Sequence, residues 1–126
     1  MVLVDTSVWI RSLRAEQPYT NEMDSLLSQD RIAGHELVYG ELLIGDRGGR
    51  FKLLASYERI WQATVVPHAE VVSFVRRRRL NGRGIGWIDA NLLASALVNR
   101  LLLWTADAPL AAVAKELGIA YDAPVE

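Results

Sequence analysis

Two kinds of hydrophobic pattern alternate along the chain. Short, wholly apolar runs are typical of strands buried on both faces, as in parallel sheets that helices cover. Longer segments in which apolar residues recur every three or four positions are typical of helices with one buried face. The apolar runs predict strands over residues 1–4, 32–34, 63–66, 101–104 and 119–121. The longer segments predict helices over residues 8–14, 20–29, 35–44, 50–61, 69–80, 87–99 and 109–117.

Strands that alternate with helices in this way predict an α/β fold with a central, mostly parallel sheet. The chain has 126 residues, which suits one domain and is enough to bury a sizeable core. Neither an internal repeat nor a linker interrupts the alternation. We therefore expect a single domain over residues 1–126.

Composition excludes several classes of chemistry. Cysteine is absent, which rules out disulfides, thiolate catalysis and zinc–thiolate sites. The net charge of −1 argues against a surface coated in positive charge, although a local basic patch remains open because distribution matters. No apolar run approaches the ~20 residues that span a bilayer, and no signal-peptide pattern is present. We expect a cytoplasmic protein with no membrane partner.

Two acidic residues follow predicted strands directly. Asp5 ends the first apolar run, and Asp107 comes three residues after the strand at 101–104. In open α/β sheets, ligands bind in the crevice beyond the carboxyl ends of the strands. Both residues are therefore candidates for chemistry. The alternative is that each one only caps the helix that follows it.

Two further acids interrupt apolar helix faces. Glu41 lies three or four positions from Leu37, Val38, Ile44 and Gly45, and a carboxylate on such a face must be paired, desolvated or bound to a metal. The alternative is that Glu41 sits at the edge of the stripe and reaches solvent. Asp89 is in line with the apolar stripe of its own helix, which comprises Ile85, Leu92, Leu93 and Ala96. Its alternative role is that of a first-turn acid stabilised by the helix dipole.

Two acids at strand ends and two on inward helix faces predict that four carboxylates converge on one site. Packed carboxylates repel each other and are driven to protonate unless a cation holds them. Ligands that are all oxygen select hard divalent ions such as Mg²⁺ or Mn²⁺. Such an ion activates water and stabilises charge on a phosphate oxygen, so metal-assisted phosphodiester cleavage is the predicted reaction class.

The motifs that carry these acids resemble the PIN domain, and more narrowly the VapC toxins of type II toxin–antitoxin systems. The resemblance rests on Val-Asp-Thr-Ser at 4–7, Val-Tyr-Gly-Glu-Leu-Leu at 38–43, Gly-Trp-Ile-Asp-Ala-Asn-Leu-Leu-Ala-Ser at 86–95 and Thr-Ala-Asp at 105–107. It covers the whole chain in order and spacing. It implies a three-layer α/β/α domain and an acidic metal-binding quartet formed by Asp5, Glu41, Asp89 and Asp107. It also implies that Ser7 and Thr105 support that quartet.

The same resemblance implies a Mg²⁺- or Mn²⁺-dependent ribonuclease that cuts structured RNA such as tRNA or rRNA. The implied partners are a VapB-like antitoxin that neutralises the enzyme and a second copy of the chain in a homodimer.

The arginines at positions 76–79, with Arg83, form a basic cluster. Arginine pairs bidentately with phosphate, and Arg83 lies in the glycine-rich loop before the helix of Asp89, so Arg83 is the preferred RNA contact and Arg79 the second. The alternative is a solvated helix face, because consecutive residues on a helix point in different directions.

Two other functions are consistent with acids at strand ends. One is a receiver-like phosphorylation switch around Mg²⁺, which requires an Asp after a central strand and a Lys after a late one. The residues that follow the predicted strands at 63–66 and 119–121 offer neither. The other is an inactive PIN-like module that only binds its antitoxin, which the four intact acids argue against.

Overall fold

The structure, a computed structural model, describes residues 1–124, so the last two residues of the predicted domain lie outside the described part. Three strands form one parallel sheet in the order β2-β1-β3. They are β1 (Val2–Val4), β2 (Ile32–Ala33) and β3 (Leu102–Trp104). The helices of the described residues are α1 (Thr6–Leu13), α2 (Tyr19–Ser28), α3 (Glu36–Ile44), α4 (Phe51–Tyr57), α5 (His68–Arg78), α6 (Trp87–Val98) and α7 (Ala108–Glu116).

The central strand β1 forms the middle of the core. All three of its residues are fully buried, as its uninterrupted apolar sequence predicts. Leu3 is in register with Ala33 on one side and with Leu103 on the other. Because all three strands run parallel, their carboxyl ends meet at one edge of the sheet, where the Asp5 amide donates to the Trp104 carbonyl at 2.9 Å. The predicted α/β class with a parallel sheet is confirmed.

The helices pack around this sheet and against one another. Helix α1 contacts α2 and α3, and α5 contacts α6. Helix α6 is buried around most of its circumference, since every residue from Ala90 to Ala96 is buried. Among residues 1–124, none of the helices has the length and the apolar run that crossing a bilayer requires.

Two predicted strands are wrong. Residues 63–66 form no strand, and the isolated parallel bridge next to them joins Gly34 to Gln62, while residues 119–121 contribute an isolated parallel bridge between Leu103 and Ala120. Each bridge has two backbone hydrogen bonds, for example Gly34 N to Trp61 O at 2.7 Å and Ala63 N to Gly34 O at 2.8 Å. The side chains of Ala63, Val66 and Ile119 are buried in the core although their segments are not strands, so an apolar run indicated burial and not pairing.

The helix predicted over 50–61 is also shorter than expected, since α4 ends at Tyr57. Beyond Tyr57 the chain turns toward the sheet, where the Trp61 carbonyl accepts a hydrogen bond from the Gly34 amide, and Trp61 is 49% exposed. On α2, the apolar spacing of Met23, Leu26 and Leu27 predicts that all three face inward, but Leu27 is 40% exposed. Apolar spacing therefore overestimated the buried face of both helices.

Candidate active site

A cleft of about 540 Å³ lies at the carboxyl edge of the sheet. All four predicted acids line it, together with Ser7 from the predicted support pair. The remaining lining residues are Thr6, Ile10, Arg11, Arg14, Glu16 and Gly84. Residues that are far apart in the sequence therefore meet where the carboxyl ends of parallel strands are expected to place a ligand.

Asp5 is the most enclosed acid of the cleft, with 6% of its surface exposed. Its Oδ2 accepts hydrogen bonds from Ser7 Oγ at 2.7 Å and from Thr105 Oγ1 at 2.8 Å. Although Asp5 occupies the N-cap position of α1, its side chain makes no capping hydrogen bond. The carboxylate is therefore held by two hydroxyl groups, and capping does not explain it.

The two hydroxyl groups are themselves fixed by the backbone. Ser7 Oγ accepts from the amide of Ala106 and Thr105 Oγ1 accepts from the amide of Asp107, each at 3.0 Å. A hydroxyl that accepts from an amide directs its single proton elsewhere, here toward Asp5. Ser7 and Thr105 thus have the geometry of groups that orient a carboxylate.

Glu41 reaches the cleft from α3 and is half-buried. Its Oε1 accepts a hydrogen bond from Thr6 Oγ1 at 2.8 Å. Ile44, expected on the same inward face, is 88% exposed, so Glu41 lies at the edge of the apolar stripe rather than within it. Thr6 is a site residue that the sequence analysis missed, and its position between Asp5 and Ser7 was the available signal.

Asp89 lines the cleft and also lies in the first turn of α6. Its Oδ2 accepts from the amide of Gly86 at 2.9 Å, which satisfies a free donor at the start of α6. Burial raises the pKa of the Asp89 carboxyl, the hydrogen bond from Gly86 opposes that rise, and the negative charges of Asp5 and Asp107 add to it. The three acids are therefore close enough to repel one another.

Asp107 caps α7, as the alternative interpretation of its position predicts. Its Oδ2 accepts from the amide of Leu110 at 3.1 Å, and Pro109 occupies the first turn of the helix. One carboxylate oxygen of Asp107 is thereby committed to the helix. Because the residue also lines the cleft, the cap fixes where this carboxylate stands relative to the other three.

Comparison with known protein families identifies the family of this chain. A family model described as the PIN domain matches residues 2–120. The chain belongs to the PIN-domain family.

Two curated relatives narrow the assignment further. Both are named Ribonuclease VapC32, from Mycobacterium tuberculosis strains CDC 1551 / Oshkosh and ATCC 25618 / H37Rv. Each is 47% identical to the chain over 121 residues, which is 95% of this chain and 95% of the relative. The predicted resemblance to VapC proteins and the predicted PIN-like fold class are confirmed. The receiver-like alternative has no support, because the matching family is the PIN domain.

The carboxylates of this PIN domain suit a hard cation. The predicted ligands offer only oxygen atoms, and the repulsion from Asp5 and Asp107, which adds to the rise that burial causes in the Asp89 pKa, is the kind that a divalent ion relieves. As the side chains stand, no group of three acidic or histidine residues among residues 1–124 is close enough together to hold an ion. The acids share the cleft without the tighter spacing that direct coordination requires.

A buried hydrogen-bond network fixes the start of α3 in the PIN domain. The ring of His35 is fully buried, its Nδ1 accepts from the amide of Leu37 at 3.1 Å and its Nε2 is 2.9 Å from Ser95 Oγ. Burial lowers the His35 pKa, although the charge of Glu36 opposes the shift. His35 is therefore neutral, with the proton on Nε2 donated to Ser95. The network anchors the helix that carries Glu41.

The predicted RNA contacts of this PIN domain are not among the cleft residues. Arg83 donates to both carboxylate oxygens of Glu116, at 3.0 and 2.8 Å. Arg79 ends α5 in the left-handed region, with φ of 54°, and is exposed. The arginines that line the cleft are Arg11 and Arg14, which the sequence analysis missed. Their spacing from Ser7 along α1 was the available signal.

Proposed function

We propose that this VapC-family chain is the toxin of a type II toxin–antitoxin system and acts as an endoribonuclease that depends on Mg²⁺, with Mn²⁺ as a substitute. One observation carries the proposal: the enclosed carboxylate of Asp5 shares a cleft with three further acids at the carboxyl edge of the sheet. The hydroxyls of Thr6 and Ser7 already donate to Glu41 and Asp5, so they orient these acids, and the proposal assigns a metal-activated water as the nucleophile.

Each acid has a role in this proposal. Asp5, Glu41 and Asp89 would hold the principal ion, and Asp107 would complete the site. When bound, the ion activates water and stabilises the charge that develops on the phosphate. Ser7 and Thr105 keep the Asp5 carboxylate oriented through Oδ2, and Thr6 does the same for Glu41 through Oε1. Cleavage then leaves a 5′-phosphate and a 3′-hydroxyl.

The proposed substrate is structured RNA, either tRNA or rRNA, in the cytoplasm. The proposed partners are a VapB-like antitoxin, which blocks the cleft or access to it, and a second copy of the chain in a homodimer. Support for an RNA substrate comes from the relatives, since the proteins with 47% identity carry the name ribonuclease.

The proposed function is tested with total cellular RNA and the purified protein. We expect cleavage with Mg²⁺ or Mn²⁺, loss of cleavage with EDTA, and recovery when excess Mg²⁺ is restored, with the new 5′ ends mapped by sequencing. Defined cut sites in tRNA or rRNA would support the proposed substrate class. Cleavage that continues undiminished in EDTA would contradict the metal-dependent mechanism.

Replacing Thr6 with valine keeps the shape of the side chain and removes the hydroxyl that orients Glu41. We expect about a tenfold loss of cleavage and a higher Mg²⁺ concentration at half-maximal rate, because groups that orient metal ligands contribute roughly 10–100-fold. Thr6→Ser, which retains the hydroxyl, is the matched control and should restore most of the activity. Equal Mg²⁺ requirements for wild type and Thr6→Val would show that the hydrogen bond does not position Glu41.

A further inference from the structure

The cleft carries a strong excess of negative charge for a site that receives a polyanion. Its lining contains five carboxylates, from Asp5, Glu16, Glu41, Asp89 and Asp107, and two guanidinium groups, from Arg11 and Arg14. A divalent ion offsets only part of this charge. The phosphates next to the cut bond therefore depend on whatever cations border the acids, and binding of nucleic acid is dominated by such phosphate contacts.

Of the two cleft arginines, Arg11 lies on α1 and Arg14 is the C-cap residue that follows the helix. Ser7, Arg11 and Arg14 are spaced by four and three residues, so they follow one another along the side of α1 that begins at the acids. At a rise of 1.5 Å per residue, Arg14 is about 10 Å along the axis from Ser7. Together they form a basic track that leads away from Asp5.

The guanidinium groups of this track are available to a new partner. Arg11 lies 5.5 Å from the ring centroid of Tyr19 and 3.6 Å from Glu16, in an ion pair whose side chains are 44% and 41% exposed. Exposed pairs of this kind are weak and exchange easily for a better acceptor. The side chain of Arg14 has no hydrogen bond or ion pair among residues 1–124 and lines the cleft. Arg83, in contrast, is already held by both oxygens of Glu116.

We propose that Arg11 and Arg14 are the residues that bind RNA phosphates beside the scissile bond, in place of Arg83 and Arg79. The inference rests on the proposed ribonuclease function and assigns its substrate path. The RNA strand leaves the acids along α1, and each guanidinium holds one phosphate. The contacts are to the backbone, so they position the strand without reading its sequence.

The test measures binding without cleavage. A 5′-fluorescein-labelled 20-nucleotide single-stranded RNA of mixed sequence is titrated in EDTA, and fluorescence anisotropy gives the binding constant at several salt concentrations. Each lost phosphate contact should reduce the slope of log K against log salt by about 0.7. We expect that reduction for Arg11→Gln and for Arg14→Gln, about twice that for the double variant, and roughly three- to tenfold weaker binding for each single variant.

The controls separate this track from other basic residues. Arg59→Gln changes an exposed arginine near Met1 and Ile32, at the opposite edge of the sheet, and should leave the slope unchanged. Arg83→Gln should also leave it unchanged, whereas Arg14→Lys should keep most of the slope. Under cleavage conditions, Arg11→Gln and Arg14→Gln should raise KM more than they lower kcat.

The outcomes distinguish this inference from the proposed function. If cleavage requires Asp5 and Mg²⁺ while the Arg11 and Arg14 variants keep the wild-type slope, the inference is wrong and the nuclease stands. If the salt slopes of the Arg11 and Arg14 variants fall while cleavage does not require Asp5, the assignment of these arginines to RNA binding stands and the proposed metal site is wrong. A wild-type protein that binds no RNA would overturn the inference, as would a slope that falls only for Arg83→Gln.

Discussion

Substitution of Asp5 by asparagine is expected to reduce Mg²⁺-dependent RNA cleavage by at least about 100-fold. Residues that only orient a metal ligand contribute roughly 10–100-fold, so the loss of a proposed ligand should equal or exceed the upper end of that range. Asparagine retains an oxygen that can accept from Ser7 and Thr105, and the fold should therefore survive. The rate of cleavage of a fixed RNA substrate at saturating Mg²⁺ is the measurement.

Asp24→Asn is the matched control for this substitution. This variant makes the same change of carboxylate to amide, but at an exposed residue of α2 that does not line the cleft. We expect wild-type cleavage from Asp24→Asn and native circular dichroism from both variants. Full activity of Asp5→Asn would remove Asp5 from the metal site. An inactive but unfolded Asp5 variant would be replaced by Asp89→Asn, for which the same loss is expected.

Replacing Tyr57 with phenylalanine is expected to destabilise the protein by about 1–3 kcal/mol, which is the usual cost of leaving a buried polar group without a partner. The amide of His35 donates to Tyr57 Oη at 2.8 Å, and both residues are almost fully buried. The Tyr57 hydroxyl also donates to the His35 carbonyl at 3.3 Å, but that carbonyl still accepts from the Tyr39 amide at 3.0 Å in the variant. The His35 amide is therefore the group that loses its partner. Urea denaturation should show a lower midpoint with an unchanged m value.

Tyr39→Phe provides a comparison within the same aromatic cluster, since the two rings are 6.1 Å apart. The Tyr39 hydroxyl bonds to Glu58, and that hydrogen bond raises the pKa of Tyr39 at a site open to solvent. Water can replace Glu58 there, so Tyr39→Phe should change the free energy of unfolding by less than about 0.5 kcal/mol. Equal stability of the two variants would show that the His35 amide finds another partner.

The sequence predicted the central strands because their signal is local. The runs of four apolar residues at 1–4 and 101–104 predicted buried strands, and β1 and β3 lie within them, although Met1 and Leu102 are exposed. Residues 63–66 have a similar composition and remain outside the sheet, since strand formation depends on a neighbour that local sequence does not specify. The end of α4 was missed for a related reason, because Ile60 and Trp61 continue the helical spacing of apolar residues although the chain has already left the helix to pair with Gly34.

The acids of the site were predictable and their surroundings were not. A carboxylate after an apolar strand made Asp5 and Asp107 candidates, with helix capping as the alternative, and Asp107 lines the cleft while also capping α7. The role of Thr6 depends on how α1 is rotated against α3, and the pairing of Arg83 depends on Glu116, 33 residues later. Both contacts join residues that are distant in the sequence, so the local pattern could not predict them. Arginine content drew attention to residues 76–79, whereas the arginines of the cleft are separated by ordinary residues on α1.

The hydrogen bond from Thr105 to Asp5 joins residues 100 positions apart. During synthesis, the segment that contains Asp5 leaves the ribosome long before β3 and Thr105 exist. In the growing chain, Asp5 therefore has the hydroxyl of Ser7 beside it but neither the hydroxyl of Thr105 nor the carboxylate of Asp107. The orientation of the Asp5 carboxylate is therefore completed only after β3 has been synthesised and has paired with β1.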